Sequence, residues 1–319
     1  MASFGYLELT RECNQHCRFC SSPKTKKART LSFKEGKRVI DGYIRNKMYG
    51  VILTGGEPTI SLDLPKYLRY CQSKKSIEYT VISNGQKLAD FNFLKSLKKA
   101  GLYKINISLY SCRPEIQGFL AEKKDSFYCI KKALENLGKL GGIIVNINTV
   151  INHYNADHLS ETVKWVVKNF PFVRHFVWNN LDPWRNRAER ENPDTIPKFN
   201  EFELELHKAM EFLKKTGRTF RVERVPLCYM TGFEEYSADT RRIVKEEKRW
   251  TLFLDSQGLI KTKAQRHDYG QACQYCFLKD ICAGVYKINK FYSEKEIHPV
   301  FVDKKKILKK IAATPPFKQ

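Results

Sequence analysis

From residue 6 to residue 180, short β-branched apolar runs alternate with segments whose apolar positions recur every three or four residues. Such runs, bounded by turn residues, read as strands, and the helical period between them reads as covering helices. The pattern is that of repeated βα units on a parallel sheet. It predicts six strands, over 6–10, 51–54, 79–83, 104–109, 143–150 and 174–178. Between them lie three apolar stripes: Val39, Ile40, Tyr43 and Ile44; Leu64, Tyr67, Leu68 and Cys71; Leu159, Val163, Val166 and Val167. Each stripe is wide enough to cover one face of a sheet. Gly55 and Gly56 follow the second strand, and Asn84 and Gly85 the third. Polar loops therefore gather at the carboxyl ends of the strands, where ligands bind in α/β sheets and barrels.

After Asn180 the pattern changes. A charged, proline-bearing stretch up to Pro197 reads as a linker or surface loop. A helix over about 201–215, a strand over 219–225, and a strand pair over 250–254 and 259–262 around the turn Asp255 to Gly258 read as a second, smaller unit. The expected division is 1–198 for the large unit, 199–300 for the smaller one and 301–319 for a tail that frays at Pro315 and Pro316.

Composition narrows the choice. A chain of 319 residues that is 42% apolar can bury a large core, which excludes disorder as a whole. No apolar run reaches the roughly 18 residues of a membrane helix, and the first residues lack the basic start and apolar stretch of a secretory signal. The expectation is a soluble, cytoplasmic chain. Its net charge of +23, from 57 basic and 34 acidic side chains, is spread over the whole length. That field favours acidic partners: nucleic acid, an acidic peptide or an acidic electron carrier. In a reducing compartment the ten cysteines point to metal ligation or catalysis rather than disulfides.

Cysteine spacing carries the chemistry. Cys13, Cys17 and Cys20 stand in the loop directly after the first predicted strand. Three thiolates on one loop can hold three irons of a 4Fe-4S cubane and leave the fourth open. The alternative is a zinc knuckle that recruits His16 as its fourth ligand. A second group, Cys273, Cys276 and Cys282 followed by Gly284, has Cys228 upstream. Four thiols can fully ligate a second cubane, or a structural zinc. Cys71, on an apolar stripe, and Cys129, on a predicted helix, read as core residues.

The C-x-x-x-C-x-aromatic-C spacing, with Phe19 in the aromatic slot, resembles the radical S-adenosylmethionine (SAM) superfamily, in which the motif follows the first strand of a partial (βα)6 barrel. The resemblance implies that SAM chelates the open iron, and that an electron delivered through the cluster cleaves it to methionine and a 5′-deoxyadenosyl radical. It implies further that Gly55, Gly56 and Glu57 meet the SAM ammonium, and that Asn84 and Ser108 meet the ribose or the methionine carboxylate. Asn148, with Asn146, would lie near the adenine and ribose. The second cysteine group resembles the C-terminal SPASM or twitch domain in its single-cluster form, with an auxiliary 4Fe-4S cluster that transfers electrons.

The fold so implied is α/β: a partial (βα)6 TIM-like barrel with a small C-terminal α+β auxiliary-cluster domain. The activity implied is hydrogen abstraction from a peptide or protein in a maturase-type modification, with an acidic electron donor such as flavodoxin or ferredoxin. Cys112, after the fourth strand, is the candidate catalytic residue, as a hydrogen-atom donor to a substrate radical. A small-molecule dehydrogenase or cofactor-biosynthesis enzyme is the alternative, and it suits a motif that begins at residue 13 with no leader-binding domain before it. RNA modification ranks third, since the charge suggests it but no motif with aromatic stacking positions does.

Overall fold

The computed structural model describes residues 4–21, 29–184, 186–254, 259–262 and 266–313. The chain opens with β1 (Phe4–Glu8), α1 (Phe33–Arg45), β2 (Gly50–Thr54), α2 (Leu64–Ser73), β3 (Glu78–Ser83), α3 (Phe91–Lys99) and β4 (Lys104–Ser108). Two helices, α4 (Pro114–Ala121) and α5 (Ser126–Leu140), lead to β5 (Ile144–Ile151), α6 (Leu159–Asn169) and β6 (His175–Asn180). Then come α7 (Arg187–Arg190), α8 (Phe199–Lys215), β7 (Thr219–Glu223), α9 (Ala238–Lys245), β8 (Arg249–Leu252), β9 (Leu259–Thr262) and α10 (Lys304–Ala313).

Among the described residues all nine strands join one sheet, in the order β7-β6-β5-β4-β3-β2-β1-β8-β9. Neighbours are parallel except β9, which runs antiparallel to β8. The sheet curls into a half-barrel with helices outside, as the α/β reading expected. The apolar stripes lie where their period put them: Ile40 and Tyr43 of α1, Leu64, Tyr67, Leu68 and Cys71 of α2, and Leu159, Val163 and Val166 of α6 are buried. Gly5 shows how closely α1 lies on β1, since a Cβ there would come 2.2 Å from the Tyr43 ring. The alternate strand positions are polar and bond to one another. Asn146 Nδ2 donates to Asn106 Oδ1 at 2.8 Å, and Asn179 Nδ2 donates to Asn148 Oδ1 at 2.8 Å.

Two expectations need correcting. The strands read as part of a smaller unit belong to the barrel sheet, with β7 beside β6 and β8 beside β1. Their charged positions imitate an exposed hairpin, yet Arg221 and Glu223 are 7% and 3% exposed and Glu223 pairs with both Arg221 (3.4 Å) and Arg249 (3.3 Å). The stretch after Asn180 is likewise no surface linker, because Arg187, Ala188 and Asn192 are buried. The turn Asp255 to Gly258 and the tail at Pro315 and Pro316 lie outside the described residues. No described helix is long and apolar enough to cross a membrane.

Candidate active site

Cys13, Cys17, Phe19 and Cys20 line one cleft of about 230 Å³ at the carboxyl ends of the strands, together with Gly55, Gly56, Glu57, Asn84 and Ser108. The cysteine loop is fixed through its backbone. His16 N and Arg18 N donate to Ala121 O (3.2 Å) and Leu120 O (3.0 Å) at the end of α4. Arg187 donates to the carbonyls of His16 and Cys17 and pairs with Glu122 at 3.1 Å, while Asn192 Nδ2 donates to Arg18 O at 3.0 Å. The segment read as a linker therefore clamps the loop. His16 turns away from the thiols to Glu122, 2.8 Å from its Nδ1, so the zinc-knuckle alternative lacks its fourth ligand here.

The thiols suit a cationic cluster. Burial, reinforced by Cys20 and Cys13, pushes the Cys17 thiol up to about 12. A thiol so placed ionises when a bound cation replaces the lost solvation. The Tyr110 hydroxyl lies 3.8 Å from Cys17 Sγ, and its ring meets Phe19 edge-on at 4.8 Å. Hydrogen bonds to ligand sulfur tune iron-sulfur potentials. Tyr110→Phe is expected to assemble the cluster normally but at a more negative potential, read by redox titration of its absorbance.

The glycines after β2 serve a contact that the resemblance did not suggest. A Cβ on Gly55 would fall 2.4 Å from Thr10 O, and one on Gly56 2.1 Å from Glu12 O. Their absence of side chains lets Gly56 N donate to Thr10 O (2.7 Å) and Glu57 N to Glu12 O (2.9 Å), which seats the start of the cysteine loop. The Glu57 carboxylate is 1% exposed. It accepts from Thr59 N (3.0 Å), Thr59 Oγ1 (2.6 Å), Ser83 Oγ (2.8 Å) and Asn84 N (2.7 Å). Asn84 Nδ2 in turn donates to Asn14 Oδ1 at 2.7 Å and lies 3.7 Å from Cys13 Sγ. Glu57 is thus tied to Cys13 through one residue.

Two expected site residues are not among those that line the cleft. Asn148 is not among the residues lining the cleft and is engaged by Asn179. The Cys112 thiol donates to Glu161 Oε1 of α6 at 3.4 Å, away from the cleft lining, and burial pushes it up to about 11. Its placement gives no support to a hydrogen-donor role. Cys71 is core, as expected, whereas Cys129 is half-buried with its thiol on Asp125. Sequence reasoning missed Tyr110, Asn180, Asp182 and Arg224, all of which line the cleft. Tyr110 continues the two-residue alternation of Asn106 and Ser108, a signal that was there to read.

A second cavity is lined by Cys228, Cys273, Cys276 and Cys282, with His298 at its wall. Backbone amides point at two of the thiols: Gly284 N to Cys282 Sγ and Val300 N to Cys276 Sγ, each at 3.4 Å. Gly284 has φ +74° and stands where a Cβ would lie 2.5 Å from Asp268 O, so only glycine closes this turn.

Residues 7–166, half of the chain, match the Radical SAM superfamily. The chain belongs to that superfamily. Membership implies a 4Fe-4S cluster and SAM. Over 251 residues this radical SAM protein is 27% identical to molybdenum cofactor biosynthesis protein 1 of Bos taurus, covering 75% of this chain and 39% of that one. Over 174 residues it is 27% identical to 7,8-dihydro-6-hydroxymethylpterin dimethyltransferase of Methanocaldococcus jannaschii (53% and 34%). Over 173 residues it is 31% identical to the GTP 3′,8-cyclase of Tolumonas auensis (52% and 50%). The chain thus spans half or less of the length of these relatives. In fold it is similar to SuiB of Streptococcus suis bound to S-adenosylmethionine, with a TM-score of 0.66 at 17% identity over 89% of this chain and 73% of that one. It is likewise similar to anSMEcpe with bound AdoMet, with a TM-score of 0.62 at 17% identity over 88% and 89%.

Proposed function

We propose that this radical SAM protein acts on a small heterocyclic molecule of the nucleotide or pterin kind, in a reaction of cofactor biosynthesis, and not on a peptide. This reverses the order of the two readings drawn from sequence. The names of the curated relatives support it, since they speak of GTP, a pterin and the molybdenum cofactor. The observation that carries it is the polar end of the cleft formed by Asp182 after β6 and Arg224 after β7. Arg224 has φ +60°, a left-handed backbone held by its N–H bond to the Asp239 carboxylate. Burial opposes its charge, but Tyr286, Asp182, Glu223 and Asp239 outweigh burial and hold the guanidinium above its ordinary pKa. Tyr286 donates to Asp182 at 3.1 Å. A fixed cation beside a carboxylate suits the donor and acceptor edge of a heterocycle, or its phosphate.

In this reading Cys13, Cys17 and Cys20 would hold a 4Fe-4S cluster, which would supply the electron for reductive cleavage of SAM and so for hydrogen abstraction from the substrate. The chain's own residues position and shield. Glu57 and Asn84 hold the cysteine loop in register, Phe19 and Tyr110 cover its thiols, and Asp182 and Arg224 orient the substrate. Cys228, Cys273, Cys276 and Cys282 hold an auxiliary 4Fe-4S cluster in a twitch-like region within 199–300, and the basic surface receives an acidic donor of the flavodoxin or ferredoxin kind.

The test is substrate-stimulated SAM cleavage by the reconstituted, reduced protein, comparing nucleoside triphosphates and pterins with peptides. Stimulation by the heterocycles supports the reading; stimulation by peptides alone refutes it. Arg224→Gln is expected to raise KM for the stimulating compound at least about tenfold, the loss of one charge-assisted contact. Iron content tests the auxiliary site separately: about eight irons per chain for two cubanes, against about four with zinc at the second site.

A further inference from the structure

At the seam of the half-barrel, where β7 approaches β1 and β8, a pocket of about 40 Å³ lies apart from both cysteine sites. Among the described residues no backbone ladder closes this seam, because β7 and β8 are not neighbours in the sheet. Arg221, Arg241, Arg242, Lys248 and Arg249 line the pocket against two carboxylates. Both carboxylates are already engaged: Glu223 by Arg221 and Arg249, and Glu247 by Arg241 at 3.3 Å. Arg242 pairs with Asp239 through its terminal nitrogen. The Nε atoms of Arg221 and Arg242 remain buried without a hydrogen-bond acceptor, and Arg221 as a residue is only 7% exposed.

Buried cationic donors left unmatched, as the two Nε atoms are, are costly, and a confined pocket that gathers them suits an anion. Groups nearby register these cations. Burial together with Arg221 and Lys104 pushes His175 down to about 3. Glu223 is pushed up by burial, yet Arg249, Arg221, Arg242 and Arg224 outweigh this and hold it far below the carboxylate range.

We propose that the seam is a binding site for a tetrahedral oxyanion, a phosphate or sulfate, separate from the SAM cleft. The cavity holds a group of a few heavy atoms and no ring system. Four oxygens in tetrahedral array can accept from guanidinium groups of β7, α9 and β8 at once, which a single carboxylate cannot do. Bound there, the anion ties β7 to β8 where the backbone does not, three residues before Arg224 enters the cleft. The same chemistry fits a free phosphate ion or the terminal phosphate of a larger molecule that extends into solvent.

Isothermal titration and thermal unfolding of the whole chain in potassium phosphate, against potassium chloride of equal ionic strength, test the proposal. Saturable phosphate binding is expected, displaced by sulfate and not by SAM, with a rise in Tm that saturates over the same range. Arg221→Gln should weaken phosphate at least about tenfold, the loss of one charge-assisted contact. Lys248→Gln, at an exposed position, should weaken it several-fold and keeps the test open if the first variant does not fold. A nucleoside monophosphate that binds more tightly than phosphate identifies a terminal phosphate as the ligand, and weaker binding identifies the free ion. No saturable effect beyond chloride, competition by SAM, or phosphate affinity unchanged in the folded variants would overturn the site.

Discussion

Cys17→Ala will reduce 5′-deoxyadenosine formation to background while leaving the chain folded. The loop that carries Cys17 is held by backbone bonds to the end of α4 and by Arg187 and Asn192, none of which uses the thiol. Tm should therefore change little. The thiol itself is the middle one of three that face the cleft, and two thiolates cannot hold a cubane that needs three. Iron should fall by about four per chain, the content of one cubane. Mass spectrometry of deoxyadenosine and iron analysis on the same sample check both halves. A variant that loses its fold together with its activity would show that the thiol is structural.

Glu57→Ala should cost both stability and SAM cleavage. Four donors converge on this carboxylate, from Thr59, Ser83 and Asn84, in a place closed to water. Leaving them unmatched costs about 3 kcal/mol or more, since each buried unsatisfied group costs about 1–3 kcal/mol and the losses are only partly additive. Asn84 would lose the anchor that holds it against Asn14 and Cys13, so cleavage should fall further than stability. Glu57→Gln keeps one acceptor oxygen and should fall between. The pH dependence follows from the same geometry. Burial pushes the Glu57 carboxyl above the ordinary carboxylate range, although bonds from Thr59, Asn84 and Ser83 oppose it. The ionised form is the one that accepts all four bonds. Activity should be full above this raised pKa and fall as pH drops through it, beginning at a higher pH than for a free carboxylate. Initial rates of deoxyadenosine formation against pH, wild type beside Glu57→Gln, check this; the same acid limb in both would exclude Glu57 as its source.

Much of the site was legible because local chemistry and the two chain periods point the same way. The cysteine loop, the two glycines and Asn84 all follow strands whose alternation is plain, and the cleft brings them together. Legibility failed where the inner face of the barrel is polar. Arg221, Glu223 and Arg249 look like surface charge in sequence, so the pattern assigns β7 and the β8–β9 pair to a separate smaller unit, which leaves no means to place Arg224 at the cleft with Asp182. Arg187 and Asn192 failed for a related reason: a charged, proline-bearing stretch reads as a loop, and only the fold shows it lying across the cysteine loop. Cys112 erred the other way. It follows β4, but its thiol meets Glu161 of α6 and is not among the groups that line the cleft.

The most direct test of the account is anaerobic: reconstitute the protein with iron and sulfide, reduce it with dithionite in the presence of SAM, and quantify 5′-deoxyadenosine by mass spectrometry. The account predicts deoxyadenosine from the wild type, accompanied by a change in the paramagnetic signal of the reduced cluster when SAM is added. A protein that binds zinc in place of iron at Cys13, Cys17 and Cys20, or that carries a full complement of iron yet neither alters its signal with SAM nor forms deoxyadenosine with any substrate class, would contradict it.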